Sequence, residues 1–89
     1  MQYEWDENKR RINLEKHGED FADVDRLDWS RAHIEPDTRR DYGEPRYAAL
    51  VPRDDARLMC LVFTPRGRNM RVISCRKANS REEERYETL

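Results

Sequence analysis

Fifteen arginines and three lysines stand in this chain of 89 residues, and their placement is uneven. Arg57, Arg66, Arg68, Arg71, Arg76, Lys77 and Arg81 fall between residues 56 and 81 with no acidic residue among them. A run of like charges repels itself, and it is the electrostatic footprint of a polyanion or an acidic partner. The planar arginine fork suits phosphate better than a lysine point charge does. The plainer reading is a solvated surface rich in ion pairs. His17 is the natural acid–base group, because an ordinary pKa of about 6.5 serves both roles. It also precedes Gly18 at an expected helix end, where the helix dipole favours an imidazolium that simply caps carbonyls. His33 falls in a weak strand and reads as structural or exposed.

Cys60 and Cys75 are too few for a disulfide framework. Their fifteen-residue separation, with no nearby histidine, makes no zinc motif. Both lie in apolar runs and read as buried free thiols. If Thr64 and Arg71 pair across two strands, the same register sets Cys60 opposite Cys75.

The formal net charge of −1 hides an asymmetry. Residues 1–44 carry 8 basic and 13 acidic residues, whereas residues 45–89 carry 10 basic and 6 acidic. Hydrophobic residues make up 36% and charged residues 42%, so the core must be thin. The longest apolar run, Leu58 to Phe63, is far short of the roughly 20 residues a membrane helix needs. The opening Met1-Gln2-Tyr3-Glu4-Trp5-Asp6 lacks an apolar signal region. These features predict one domain over residues 1–89, in the cytoplasm, with no membrane partner.

The elements that must position these groups are legible as follows. Tyr3 to Trp5 predicts a short strand. Asp6 is a good N-cap for a helix over Glu7 to His17, which Gly18 ends in the left-handed conformation. The contact stripe of this helix is narrow, made of Ile12 and Leu14 with Trp5. Phe21, Val24 and Leu27 recur every third residue and predict a second helix from Glu19 to about Asp28, closed by Trp29. Its exposed side is acidic. Strands are expected over Ala32–Glu35, Arg46–Val51, Arg57–Thr64 and Met70–Lys77, with turns at Pro36-Asp37, Asp41 to Pro45, Arg53 to Ala56 and Pro65 to Asn69. Asn79 or Ser80 caps a last helix, Arg81 to Thr88, and Ser80 with Glu83 three residues later reads as a capping box. Helices gathered against an antiparallel sheet make an α+β domain. Alternation over 70–77 puts Val72, Ser74 and Arg76 on one face and Arg71, Ile73, Cys75 and Lys77 on the other.

Several local patterns, taken in order, resemble a known family. They are Trp5-Asp6-Glu7-Asn8-Lys9, Asn13-Leu14-Glu15-Lys16-His17-Gly18 followed by Phe21, and Asp41-Tyr42-Gly43-Glu44 with Arg46. Phe63-Thr64 with Arg66-Gly67 comes next, then Arg71-Val72-Ile73-Ser74-Cys75-Arg76-Lys77-Ala78 with Arg81, Glu82, Arg85 and Tyr86. This order resembles the BrnT toxins of bacterial type II toxin–antitoxin systems from near residue 3 to near residue 87. The chain departs from the family pattern at Cys75, usually Ala, and at Leu27-Asp28-Trp29-Ser30, usually Phe-rich. The resemblance implies a RelE-like fold with two N-terminal helices on a small, mainly antiparallel sheet and a C-terminal helix. It implies a ribonuclease that blocks translation, and a BrnA-like antitoxin with a ribbon-helix-helix DNA-binding part, so that promoter DNA is met only through the antitoxin.

RelE-like ribonucleases need no metal, and no metal cage or cofactor is expected from these residues. The implied reaction is attack by a ribose 2′-hydroxyl on the adjacent phosphate. It needs a proton acceptor, donors for the extra negative charge and a proton donor for the leaving 5′-oxygen. Arg76, at a strand end beside the last helix, is the expected phosphate clamp; the alternative is an ion pair with Glu82 or Glu83. Arg66 and Arg68 flank the loop glycine, where they reach either a substrate or only solvent. Arg71 reads as the more structural of the strand arginines. His17 is the first acid–base candidate. Tyr86 is the second, because RelE-like enzymes often use a C-terminal tyrosine; an aromatic pin for the helix is the alternative. Tyr42 and Tyr47 fit turn and strand packing better than base stacking. Lys9, Arg46, Lys77, Arg81 and Arg85 would extend a phosphate track, or else form solvated faces. The leading expectation is therefore an endoribonuclease toxin acting on free or ribosome-associated RNA. The alternative is a non-catalytic binding module that helps a DNA-binding antitoxin repress its promoter. A third is a small structural protein with an arginine-rich surface.

Overall fold

In the computed structural model, which describes residues 2–89, the first helix is fixed at both ends by its own sequence. α1 runs Glu7–His17. The Asp6 carboxylate accepts from the backbone N–H of Asn8 at 2.8 Å, and Gly18, at φ 72°, donates its N–H to Leu14 O at 2.9 Å. The expected apolar stripe is absent: Ile12 is 53% and Leu14 44% exposed. The buried residue of α1 is instead Asn13.

The reason lies at the sheet edge. β1 (Gln2–Glu4) pairs in parallel with β5 (Asn69–Lys77) only as far as Arg71. Beyond it, the backbone of Cys75 has no strand on its outer side, away from β4. The Asn13 side chain takes that place: its Nδ2 donates to Cys75 O at 2.8 Å, and its Oδ1 accepts from Cys75 N–H at 3.1 Å. The second Nδ2 hydrogen goes to Glu19 O at 2.9 Å. One buried amide thus joins α1, the turn after it and β5.

The predicted second helix is two short 3-10 turns, Phe21–Arg26 and Trp29–Arg31. Phe21, Val24 and Leu27 are buried as expected. Their spacing of three is the period of a 3-10 helix, in which side chains at i and i+3 eclipse; on an α-helix they would drift round the axis. Asp20 caps the first turn through Ala22 N–H, and Leu27 leaves it to bridge Arg53.

β2 (His33–Pro36), β3 (Tyr47–Pro52) and β4 (Leu58–Arg66) complete a mixed sheet of order β1-β5-β4-β3-β2, antiparallel apart from β1. The expected loop over Pro65 to Asn69 is shorter. β4 continues to Arg66, and Gly67-Arg68 alone turn the chain, with Gly67 at φ 57° as a two-residue hairpin requires. The core on one sheet face joins Phe21, Val24 and Leu27 to Ala49, Val51, Met59, Leu61, Phe63, Met70, Val72 and Cys75. Trp29 closes it as predicted, edge-on to Phe63 at 5.8 Å, with its indole N–H donated to Tyr3 Oη at 2.7 Å. Each large side chain buried there contributes roughly 1.5–3 kcal/mol.

Thr64 does face Arg71, but the register shifts between Val62 and Phe63. Phe63 faces Val72 while Val62 faces Ser74, so Ile73 is an extra residue on β5. Two expectations change. Cys60 faces Arg76, and Cys75 faces Leu61, so the cysteines are not opposite one another. Alternation also reverses after Ile73: Met70, Val72 and Cys75 share the core face, and Arg71, Ser74 and Arg76 share the other.

α2 (Ser80–Glu87) follows β5 and is capped by Asn79, one of the two expected caps; the capping box is Asn79 with Glu82, not Ser80 with Glu83. It reaches back toward residue 31, where the Tyr86 hydroxyl donates to Arg31 O at 2.6 Å.

Replacing Asn13 by Ala strands two carbonyls and one N–H that are buried in the native protein. At about 1–3 kcal/mol for each unsatisfied group that water does not reach, the variant is expected to lose about 2–4 kcal/mol. Urea denaturation followed by circular dichroism measures this. A loss below about 1 kcal/mol would show that the clamp is dispensable.

Candidate functional site

The bulge at Ile73 decides which arginines share a surface. On the sheet face away from the core, β5 presents Arg71, Ser74 and Arg76 beside Cys60, Val62, Thr64 and Arg66 of β4. The connection between β2 and β3 is tied to this face by Thr64, whose hydroxyl donates to Pro45 O at 2.6 Å. It brings Arg46, with its guanidinium 4.0 Å from the Tyr42 ring centre. Glu44 lies 3.7 Å from Arg46 and 3.5 Å from Arg66, so two cations share one carboxylate. The Nε of Arg46 is buried without a hydrogen-bond partner among the described residues. Arg39, from the same connection, grips Asp37 with two bonds of 2.8 Å, and its charge is felt at Arg76.

Arg76 sits at the other end of the face. Its Nη1 donates to Glu82 Oε1 at 2.7 Å and its Nη2 to Glu82 Oε2 at 2.9 Å. The guanidinium holds the Glu82 carboxyl down at about 2, against the opposing effect of burial and with help from the Asn79 N–H. Beneath the pair, burial pushes the Cys60 thiol up, so it is a poor nucleophile.

His17 closes α1 near this end. Its ring has no hydrogen-bond partner among the described residues, and the helix is closed by Gly18 instead, so the carbonyl-capping alternative is not what the structure shows. Burial lowers the His17 pKa below its ordinary value, and the charges of Lys16 and Arg76 lower it further; Glu19 opposes them. The shift favours the neutral imidazole, the form that can accept a proton.

The sequence-predicted residues therefore fall into two groups, with others apart. His17 and Arg76 come within Coulombic reach of each other. Arg46 and Arg66 meet around Glu44, with Arg71 on the same face, opposite Thr64 and without an acidic partner within 4.0 Å among the described residues. Lys77 lies 4.0 Å from Glu19. Lys9, Arg68, Arg81 and Arg85 are exposed, and Arg85 is felt at Glu35. Tyr86 is committed to Arg31 O. A cleft of about 790 Å³ separates α2 from the strand ends, but its four cations are matched by four carboxylates, which suits no polyanion.

Sequence reasoning missed Asn13, Glu44 and the Glu19–Arg53 pair. In that pair both side chains are 9% exposed, they meet at 2.8 Å, and they stand 34 residues apart, a separation that leaves no local signal.

A family model for the ribonuclease toxin BrnT of type II toxin–antitoxin systems matches residues 5–82. The chain belongs to the BrnT family. Members are ribonuclease toxins, and type II membership implies an antitoxin partner. The BrnT fold also matches a solved structure, that of the Brucella abortus ribonuclease toxin BrnT, with a TM-score of 0.73 and 31% sequence identity. That match covers 90% of this chain and 99% of the Brucella chain. Comparison with curated proteins gave no match. No helix of this BrnT-family chain is long and apolar enough, among the described residues, to cross a membrane.

The lowered His17 pKa sets a sign. The unfolded chain takes up the proton first, so the contribution of His17 to stability is complete above about pH 6.5 and is lost as pH falls through the folded value. Proton NMR titration should place the His17 midpoint below about 6.5, and Arg76→Ala should raise it. A midpoint unchanged by that substitution would show that the two groups do not sense each other.

Proposed function

We propose that this chain is a metal-independent endoribonuclease that cleaves RNA by 2′-hydroxyl attack and so inhibits translation. It acts as a single toxin domain over residues 1–89, with a RelE-like arrangement, in the cytoplasm, and a BrnA-like ribbon-helix-helix antitoxin covers the basic face or a surface next to it. The observation that carries this reading is an imidazole without a hydrogen-bond partner among the described residues, within Coulombic reach of Arg76 on an arginine-bearing face.

The roles follow from that placement. His17 accepts the 2′-hydroxyl proton as the 2′-oxygen bonds to phosphorus. Arg76 stabilises the charge gathering on the phosphate oxygens. The bond to the 5′-oxygen breaks and that oxygen takes a proton, leaving a 2′,3′-cyclic phosphate and a 5′-hydroxyl. Tyr86 is the candidate donor, once its hydroxyl leaves Arg31 O. Arg66 and Arg46 would hold a neighbouring phosphate in exchange for Glu44, with Arg71 between them and Arg76. Lys9, Arg68, Lys77, Arg81 and Arg85 would add to the track. The second reading, a non-catalytic partner of a DNA-binding antitoxin, is favoured by one observation: Glu82 already pairs with the Arg76 fork.

Purified protein incubated with RNA, with and without ribosomes, tests this. Cleavage should persist in EDTA and yield cyclic phosphate ends. Arg76→Ala should lower the rate by roughly 10²–10³-fold, the usual cost of losing one charge-stabilising donor. His17→Ala should lower it by about 10²-fold or more. RNA binding should weaken steeply with salt. A wild-type protein that cleaves no RNA under either condition sinks the enzymatic reading and leaves the binding module.

A further inference from the structure

A guanidinium carries five N–H donors, arranged so that two of its edges can each grip an anion: the Nη1/Nη2 edge and the Nε/Nη2 edge. In Arg76 the first edge is filled. Glu82 accepts from Nη1 at 2.7 Å and from Nη2 at 2.9 Å, and the other Nη1 hydrogen goes to Lys77 O at 3.2 Å. Arg76 Nε has no acceptor among the described residues, and its side chain is 33% exposed. The second edge is therefore open, on the side of the molecule that carries Arg71 and Ser74.

We propose that Glu82 is a positioning residue of the ribonuclease site: it holds the Nη1/Nη2 edge of Arg76 so that the Nε edge faces the scissile phosphate. The proposal rests on the functional reading above. A free arginine at a strand end samples many rotamers, and ordering it during the reaction costs entropy. The carboxylate supplies that order beforehand. It is itself fixed from behind, because Oε1 also accepts from Asn79 N–H at 2.9 Å, while Glu82 N–H donates to Asn79 Oδ1 at 2.9 Å. Its side chain is only 14% exposed.

The arrangement also accounts for what α2 contributes. No residue of α2 is buried. Its ties to the rest are the Arg76–Glu82 fork, the bond from Tyr86 to Arg31 O, and Ala78 N–H to Leu58 O just before it. A helix that adds nothing to the core still brings one carboxylate to one guanidinium.

A carboxylate beside a phosphate site repels the substrate while it orders the clamp. Positioning thus has a signature that a merely structural role lacks: rate and binding respond differently. Glu82→Gln keeps an oxygen for Asn79 N–H but sets an amide donor against the guanidinium, which frees the fork. The kcat for RNA cleavage should fall by about 10–100-fold, as small misplacements of a clamp do. Binding of a strand with a 2′-deoxy nucleotide at the cleavage site should stay equal or tighten. Glu82→Asp keeps the charge on a shorter arm, and should lower kcat by about threefold to tenfold with binding unchanged, which serves if the Gln variant does not fold. Thermal melts of each variant give the folded fraction. Wild-type kcat in the folded variant, or a rate loss that only follows lost binding or lost folded protein, overturns the positioning role. A wild type that cleaves no RNA overturns the ribonuclease reading, and this one with it.

Discussion

A single side-chain amide, that of Asn13, lets a short sheet edge and a polar helix coexist. β1 is three residues long and leaves β5 bare where Cys75 needs partners. Buried backbone groups without partners are costly, so the edge must be closed by something. α1 could not close it with apolar packing, because it buries no apolar side chain. The amide does so by acting as one rung of a strand, and its remaining hydrogen fixes the turn at Glu19. Once α1 is registered against β5 in this way, its last residue, His17, necessarily ends beside the last residues of that strand. The geometry on which the functional reading depends is set by a residue that takes no part in it.

Much of the fold is legible in the sequence because its punctuation is local. Asp6 and Gly18 mark the ends of α1, and both caps form. Glycine with a left-handed φ turns the β4–β5 hairpin, and apolar strands fall close to where Leu, Val and Phe cluster. What escapes reading is non-local. The 3-10 turns are hidden because a spacing of three apolar residues fits two helix types, and only packing against β3 and β5 chooses between them. The bulge at Ile73 has no sequence mark at all; it is a compromise between two strands. Alternation fails from that point, and with it the assignment of Arg76 to a face. The basic segment is legible as charge, whereas its partners Glu82 and Glu44 come from outside the acid-free run.

Charge in this protein is spent chiefly on holding loops, since apolar residues are few. Arg53 bonds to Glu19 at 2.8 Å and to Asp55 at 2.8 Å; Arg10 reaches Asp20 at 2.7 Å. Exposed pairs of this kind contribute little, about 0–1 kcal/mol each. The Glu19–Arg53 pair is different. Desolvation offsets most of its attraction, yet removal of Arg53 would leave the buried Glu19 carboxylate with only Lys77 at 4.0 Å. Such pairs fix how loops seat more than they add stability. On the outer face Arg46, Arg66 and Arg76 follow the same pattern, each restrained by a carboxylate but still partly open to solvent, whereas Arg71 has no carboxylate within 4.0 Å among the described residues.

The displaced register leaves the two thiols on opposite sides of a hydrogen-bonded layer. Cys60 lies under the Arg76–Glu82 pair, and Cys75 lies in the core, where burial pushes its thiol up to about 12. A covalent link between them would have to pass through the sheet itself. Oxidants therefore meet two sulfurs that are shielded, protonated and unable to join. Among the described residues the two thiols thus offer no disulfide for an oxidant to form.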